Sequence, residues 1–247
     1  MRNIKIIMQY DGTRYSGWQS QEHEEHTIQG KLTAVLSRLL GEPVEIAGSG
    51  RTDAGVHALG QVANFKTRSQ MSCEELLEKL NHYLPEDIGV RSVEEVDGRF
   101  HSRLSAVRKT YSYHIWNSPL HNVFDRRYSW TVGQPLDVQA MNRAAEYLTG
   151  THDFRAFSSM KKTKKSTVRT IEAIHLEQKG AELILSFTGN GFLYHMVRIL
   201  TGTLVEVGLH KKSPESILTI LESLDREQAG VMAPAQGLFL VEVEYKK

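Results

Sequence analysis

Apolar and polar positions follow two rhythms along this chain. Ile4-Lys5-Ile6-Ile7-Met8 is a short apolar run ending at Asp11-Gly12, which predicts a buried strand and then a turn. Ile28, Leu32, Val35, Leu36 and Leu39 recur at helical spacing, and Gly41 stops that helix. Val44 to Ala47 and Val62 to Phe65 read as strands on either side of a glycine-rich loop. Ser72 and Glu75 form a capping box for a helix carrying Leu76, Leu77 and Leu80. Pro85 ends it, and Ile88 to Val96 is a strand.

The same order then returns. Thr110-Tyr111-Ser112-Tyr113-His114-Ile115 alternates as a strand. Val138 to Leu148 is a helix, with Asp137 at its N-cap and Gly150 past its end. Val168 to Leu176 and Leu183 to Phe187 are strands joined through Lys179-Gly180, a hairpin signal. Leu193, Met196, Val197, Leu200, Leu204 and Val207 mark a long amphipathic helix. A short helix follows Pro214, and Leu238 to Val243 closes as a strand. The expectation is an α+β chain of two RRM-like or ferredoxin-like halves, 1–104 and 105–247. Each half runs β-α-β-β-α-β, and mainly antiparallel sheets meet around a central cleft. The duplication is one of element order only, without sequence repeat.

Composition narrows the setting. The chain has 247 residues, 40% of them apolar, which is globular and too rich for disorder. Its single cysteine, Cys73, excludes an intramolecular disulfide and fits a reducing compartment. No apolar run approaches the ~20 residues of a membrane span. Lys5 and Gln9 interrupt the opening apolar run, which has no small-residue cleavage site, so it does not read as a signal peptide. A cytoplasmic protein is expected. The net charge of +1 conceals local bias. Arg99, Arg103, Arg108 and Lys109 stand together without an acid, as do Arg155, Lys161, Lys162, Lys164, Lys165 and Arg169. Acids gather instead at Glu22, Glu24 and Glu25 and at Glu74, Glu75 and Glu78. A balanced total thus leaves room for a basic face that binds nucleic acid.

The stretch Gly48-Ser49-Gly50-Arg51-Thr52-Asp53-Ala54-Gly55-Val56-His57-Ala58-Leu59-Gly60 gathers candidate chemistry. A cation, a carboxylate and an imidazole sit on one short turn, where a scaffold can position them. The bland reading is an ordinary turn in which Asp53 caps a backbone N–H and Arg51 is solvated. A metal site is poorly supported, because the histidines are scattered with no HxxxH or CxxC spacing. The stretch matches neither a P-loop nor a dinucleotide fingerprint, and Ser49 lacks a nucleophile elbow. What remains is a lone carboxylate beside an arginine. Ionised at pH 7, it serves as base or covalent nucleophile without a cofactor.

These residues resemble a known family. Gly50-Arg51-Thr52-Asp53-Ala54-Gly55-Val56-His57-Ala58 with Gly60-Gln61-Val62 is similar to the signature of the tRNA pseudouridine synthase A (TruA) family. Further matches run in order along nearly the whole chain. They are Tyr10-Asp11-Gly12 with Tyr15-Ser16-Gly17-Trp18-Gln19, then Arg108 with Tyr111 and Tyr113, then Gly150-Thr151-His152-Asp153-Phe154 with Phe157. Gly189-Asn190-Gly191-Phe192-Leu193 with Met196-Val197-Arg198 follows, and last Ala229-Gly230, Ala233-Pro234 and Gly237-Leu238. The resemblance implies isomerisation of uridine to pseudouridine at positions 38, 39 and 40 of the tRNA anticodon stem-loop. It implies a homodimer with RNA bound across both subunits, and no cofactor or metal. Asp53 matches the catalytic aspartate, Tyr111 the tyrosine of the base pocket, and Arg198 the arginine paired with the aspartate. Arg51, two residues before the nucleophile, would hold phosphate or fill the gap left by a flipped base. His57, Trp18 and Tyr194 are expected to be structural. Lys161, Lys162, Lys164 and Lys165 are candidates for contacts with the RNA backbone.

Two other readings compete. One is a non-catalytic RNA-binding protein of two RRM-like halves, although no RNP1 aromatic signature is present. The other is a carboxylate-dependent hydrolase acting on nucleotides. The products separate them: pseudouridine, unchanged RNA or a cleaved fragment.

Overall fold

The computed structural model describes residues 1–21, 26–160 and 165–246. The chain divides into two compact units, Met1–Val107 with Phe239–Lys247, and Arg108–Leu238.

In the first unit the elements are β1 (Arg2–Tyr10), α1 (Ile28–Leu40), β2 (Ile46–Gly48), β3 (His57–Thr67), α2 (Cys73–Tyr83), β4 (Ile88–Val96) and, from the end of the chain, β10 (Leu238–Tyr245). The strand order is β4-β1-β3-β10, with β2 also on β3. β1 runs antiparallel to both β3 and β4. Ile4, Ile6, Met8 and Tyr10 alternate onto one buried face of β1. Ile28, Leu32 and Leu36 of α1 and Leu76 and Leu80 of α2 are buried as well. The helix ends at Ser72 and Gly41 follow the expected signals, and Thr27 adds a cap at the start of α1. The Thr27 side chain accepts from the Gly30 N–H and the Ser72 side chain from the Glu75 N–H, while Gly41 takes the left-handed conformation at φ 68° that ends α1.

Three features of this unit differ from the expected pattern. β2 begins two residues late, at Ile46. β3 begins at His57, so Ala58, Leu59 and Gly60, which read as loop because of the glycine, are strand. β10, which chain order assigns to the second half, pairs in parallel with the start of β3, Phe239 opposite His57 and Leu240 opposite Ala58. Gly60 permits this approach, since a Cβ there would lie 2.3 Å from the Val241 carbonyl oxygen.

The second unit contains β5 (Ala106–Trp116), β6 (Trp130–Thr131), α3 (Val138–Leu148), β7 (Gly150–Asp153), β8 (Val168–Lys179), β9 (Glu182–Gly189), α4 (Met196–Gly208) and α5 (Ser216–Ser223). Its strand order is β5-β9-β8-β7, with β6 on β5. β8 and β9 form a hairpin closed by Gly180 and Ala181, Gly180 supplying the positive φ of 60°. Asp137 caps α3 through the Ala140 N–H, as its position predicts.

The long helix departs from its expected amphipathic form. Leu193 precedes α4, and every residue from Met196 to Val205 is buried, Arg198, Thr201 and Thr203 included. The face that would otherwise meet water is covered by the segment Ala229–Ala233. The Gly230 N–H donates to Thr203 Oγ1 at 2.9 Å, the Val231 N–H to Glu206 Oε1 at 3.0 Å, and the Ala233 N–H to the Arg198 carbonyl at 3.1 Å. Thr201 and Thr203 return their own hydroxyl protons to the carbonyls of Val197 and Ile199 one turn earlier, so these buried hydroxyls are satisfied. Gly202 makes room for the segment, because a Cβ there would lie 1.8 Å from the Val231 carbonyl oxygen. Gly202→Ala is therefore expected to lower the unfolding free energy by about 1–3 kcal/mol or more, as overpacking against backbone does. A fall in the urea midpoint at unchanged m-value is the measurement that checks it.

Candidate active site

Asp53 opens a turn rather than sitting on a helix or strand. The Val56 N–H donates to the Asp53 carbonyl at 3.1 Å, and Gly55, at φ 77°, stands at the third of the four positions, where a type II turn needs a residue of positive φ. The Asp53 side chain is half-buried.

A second turn holds the first. The Trp18 N–H donates to the Thr52 carbonyl at 3.0 Å, and the Gly55 N–H to the Tyr15 carbonyl at 3.3 Å. Gly17, at φ 97°, lies against this junction, and a Cβ there would sit 2.7 Å from the Thr52 carbonyl oxygen. The second turn hangs in its own right from the start of α1. The Ile28 and Gln29 N–H groups, which a helix leaves without internal partners, donate to the Gly17 and Trp18 carbonyls. The opening motif around Tyr15-Ser16-Gly17-Trp18 and the motif around Asp53 are thus one structure. Trp18 is buried, and its ring fills the space that a Cβ on Gly48 would need.

Gln61 and Tyr10 tie the turn from the sheet side. The Gln61 carboxamide is buried; its Oε1 accepts from Ser49 Oγ at 2.7 Å, and its Nε2 donates to the Gly50 carbonyl at 3.0 Å and to the Tyr10 hydroxyl oxygen at 3.3 Å. The Tyr10 and Thr52 hydroxyls are 2.8 Å apart. Neither residue was singled out for a role in the sequence. The available signal is their place, beside Gly60 and beside Asp11, in two of the motifs that carry the family resemblance.

His57 packs into the interior of the first unit. It is buried, its Nδ1 accepts the Gly12 N–H at 3.1 Å, and its ring stacks on Phe239 with centroids 4.7 Å apart. Arg51 is exposed, and its Nε donates to Gln19 Oε1 at 3.0 Å. Gln19 in turn donates to Gln29, and Gln29 to the Ile46 carbonyl, so the stem of Arg51 is braced by a chain of amides.

The other candidates stand in the second unit. Tyr111, on β5, is 9% exposed and meets the Phe192 ring edge-to-face at 5.2 Å. Arg198, in the first turn of α4, is also buried, and its Nε donates to the Ala233 carbonyl at 2.7 Å. The covering segment and this arginine therefore bond in both directions. Tyr113 donates its hydroxyl to the Pro234 carbonyl; burial pushes its ionisation upward, against the opposing pull of the Arg198 charge. Asp153 accepts from Thr167 Oγ1 and from the Arg155 N–H. Tyr194 is more than half exposed and stacks on His195. Lys165 is exposed, while Lys161, Lys162 and Lys164 lie outside the described residues. Among the described residues no group of three or more His, Cys, Asp or Glu side chains could hold a metal ion. No described helix is long and apolar enough to cross a membrane.

The sequence profile described as tRNA pseudouridine synthase matches residues 6–104 and 144–246. A protein named tRNA pseudouridine synthase A from Bacillus sp. (strain KSM-64) is 50% identical over 245 residues, covering 99% of this chain and 100% of the relative. This chain belongs to the tRNA pseudouridine synthase family. Relatives in Brevibacillus brevis and Clostridium tetani, named tRNA pseudouridine synthase A and tRNA pseudouridine synthase A 2, are 47% and 46% identical, with 99% of this chain and 100% and 99% of those chains covered. Among solved structures, a Cbf5-Nop10-Gar1 complex is similar at 12% identity and a TM-score of 0.40, over 96% of this chain and 48% of that one, a likeness too slight to build on. The two stretches matched by the pseudouridine synthase profile contain the Asp53 turn and Arg198, whereas Tyr111 falls between them.

Tyr10 offers a test of how this turn is held. Burial pushes its hydroxyl from 10.0 up to about 12, against the hydrogen bonds from Thr52 and Gln61, which pull the other way. In the unfolded chain the phenol ionises first, so Tyr10's contribution is complete below pH 10 and falls between pH 10 and about 12. Tyr15 and Tyr245 are raised by burial too and add to the alkaline loss. Tyr10→Phe should flatten the decline of the urea midpoint over this range. Equal slopes in the two proteins would show that the phenol is not held neutral.

Proposed function

We propose that this chain isomerises uridine to pseudouridine at positions 38, 39 and 40 of the tRNA anticodon stem-loop, with Asp53 as the nucleophile. The observation that carries the reading is the aspartate on a backbone-fixed turn, inside a stretch that matches the pseudouridine synthase family. The names of the full-length relatives support tRNA as the substrate. We place the protein in the cytoplasm and the tRNA across two copies of the chain.

The reaction breaks the bond from ribose C1′ to uracil N1, turns the base and joins C1′ to C5. The proton lost from C5 is matched by the one gained at N1, so nothing is oxidised or reduced and no cofactor is required. A carboxylate begins this by attacking either C1′ or C6. It is a weak nucleophile and depends on being held in line, for which effective molarities of ~10⁵–10⁸ M are available. The bonds that fix the Asp53 turn are of the kind that this requires.

Arg198 takes the role of the arginine that favours the ionised aspartate. Its Nε donates to the Ala233 carbonyl, and its planar guanidinium suits a charge-assisted bond to a carboxylate. Tyr111 takes the role of the aromatic that stacks on the extruded uracil. Arg51, exposed and braced along its stem, takes a phosphate or the space vacated by the base.

Asp53→Asn keeps the volume and removes the charge. Its single-turnover formation of pseudouridine should vanish, while tRNA affinity changes little. Product formed by the pure variant would overturn the role, and cleaved or unchanged RNA from the wild type would favour the competing readings.

Lys161, Lys162, Lys164 and Lys165 are assigned to the tRNA backbone away from the reacting uridine. Each phosphate contact adds roughly 0.7–0.9 to the slope of log affinity against log salt, so replacing all four with Ser should flatten the slope by about three. The saturated rate should hold, because uniform binding acts on KM. An unchanged slope would reduce these lysines to a solvated run.

A further inference from the structure

We propose that Gln61 is a positioning residue for the reaction, acting through Tyr10 and the Ser49–Thr52 backbone to hold Asp53 in line. The proposal rests on the assignment of Asp53 as nucleophile.

The first support is placement. β1 and β3 pair Met8 with Gln61 and Tyr10 with Ala58, so β3 advances three residues while β1 advances two. The extra residue is a bulge, and it falls beside Gly60. Strict alternation would set Ala58 and Gln61 on opposite faces. The bulge sets both on the face of Met8 and Tyr10, and so brings the Gln61 carboxamide beneath the turn.

The second support is the network of hydrogen bonds. An amide nitrogen only donates. Gln61 Nε2 therefore gives one proton to the Gly50 carbonyl and one to the Tyr10 oxygen. Its Oε1 takes the Ser49 hydroxyl and, at 3.2 Å, the Val62 N–H, so the buried amide is fully used. The Tyr10 hydroxyl also bonds the Thr52 hydroxyl at 2.8 Å, with either able to donate. The contacts thus run from Gln61 through Tyr10 to Thr52, the residue before Asp53. Ser49 and Gly50 are fixed directly, and Thr52 through the phenol. The phenol is neutral at physiological pH, and burial pushes its ionisation further up. A buried network whose members are all satisfied is rigid, and removing its hub leaves several groups unpaired at once.

A glutamine that only completes the core would affect folding. One that positions Asp53 would affect the chemical step in protein that remains folded. Gln61→Met keeps the length of the side chain and removes every polar contact. We expect its single-turnover rate on tRNA, at saturating enzyme and a temperature where its unfolding curve shows a folded protein, to fall about tenfold or more. Its tRNA affinity should stay within about twofold of wild type. Tyr10→Phe is the second variant. It removes the link to Thr52 and the acceptor of one Gln61 proton, leaves the amide's bonds to Ser49 and Gly50, and should show the same split between rate and affinity, with a smaller fall. The double variant should lose little more than Gln61→Met alone, because both act through one chain of bonds. A saturated rate equal to wild type in the folded Gln61→Met protein overturns the proposal, as does a loss that matches the unfolded fraction or the loss of affinity. If Gln61→Met does not fold, Tyr10→Phe decides by the same criteria. Asp53→Asn is run alongside. An active Asp53→Asn removes the underlying assignment, whereas an inactive Asp53→Asn with a full-rate Gln61→Met removes the role of Gln61 alone.

Discussion

A carboxylate on a turn has no ladder of its own, so its position is only as firm as the backbone groups bonded around it. In this protein that constraint shapes most of the first unit. The turn that begins at Asp53 is closed by Gly55, backed by the Tyr15–Trp18 turn, and tied to the sheet through Gln61 and Tyr10. The backing turn draws its firmness from the N–H groups at the start of α1. A helix end, a strand bulge and two positive-φ glycines thus converge on one short stretch. Each of those bonds contributes only ~1 kcal/mol net, but where one is buried, leaving it unmade costs more than making it gains.

The second unit faces a demand of its own, the burial of a cation. An arginine buried in the first turn of a helix must have its donors met, and α4 is buried almost all round. The segment Ala229–Ala233 answers both needs, covering the helix and accepting from Arg198 Nε. Small residues make this possible, since Gly202 and Gly230 lie where any side chain would strike backbone.

Much of the fold was legible in local signals. Ser72, Asp137, Gly41 and Gly180 mark ends and turns through their own side chains or dihedrals, and such effects do not depend on the rest of the chain. The strand character of Ala58, Leu59 and Gly60 was hidden, because it comes from pairing with Phe239 and Leu240, far away in sequence. The burial of Arg198, Thr201 and Thr203 was hidden for the same reason, as the covering segment lies beyond α5. Of the candidate site, Asp53 stands out as a carboxylate among glycines in a motif with a family resemblance. What holds it does not stand out, since Gln61 and Tyr10 act by proximity across strands and a bulge sets that proximity.

The pairing of β10 with β3 also has a consequence for how the chain is made. The first unit is interrupted after Val107 and resumes at Phe239. During synthesis, residues 108 to 238 must all leave the ribosome before β3 gains that neighbour. Until then the start of β3, the strand that follows directly from the Asp53 turn, presents open N–H and C=O groups to whatever is nearby. The order of translation thus makes the completed edge beside His57 a late event, and ties maturation of the aspartate's surroundings to delivery of the final strand.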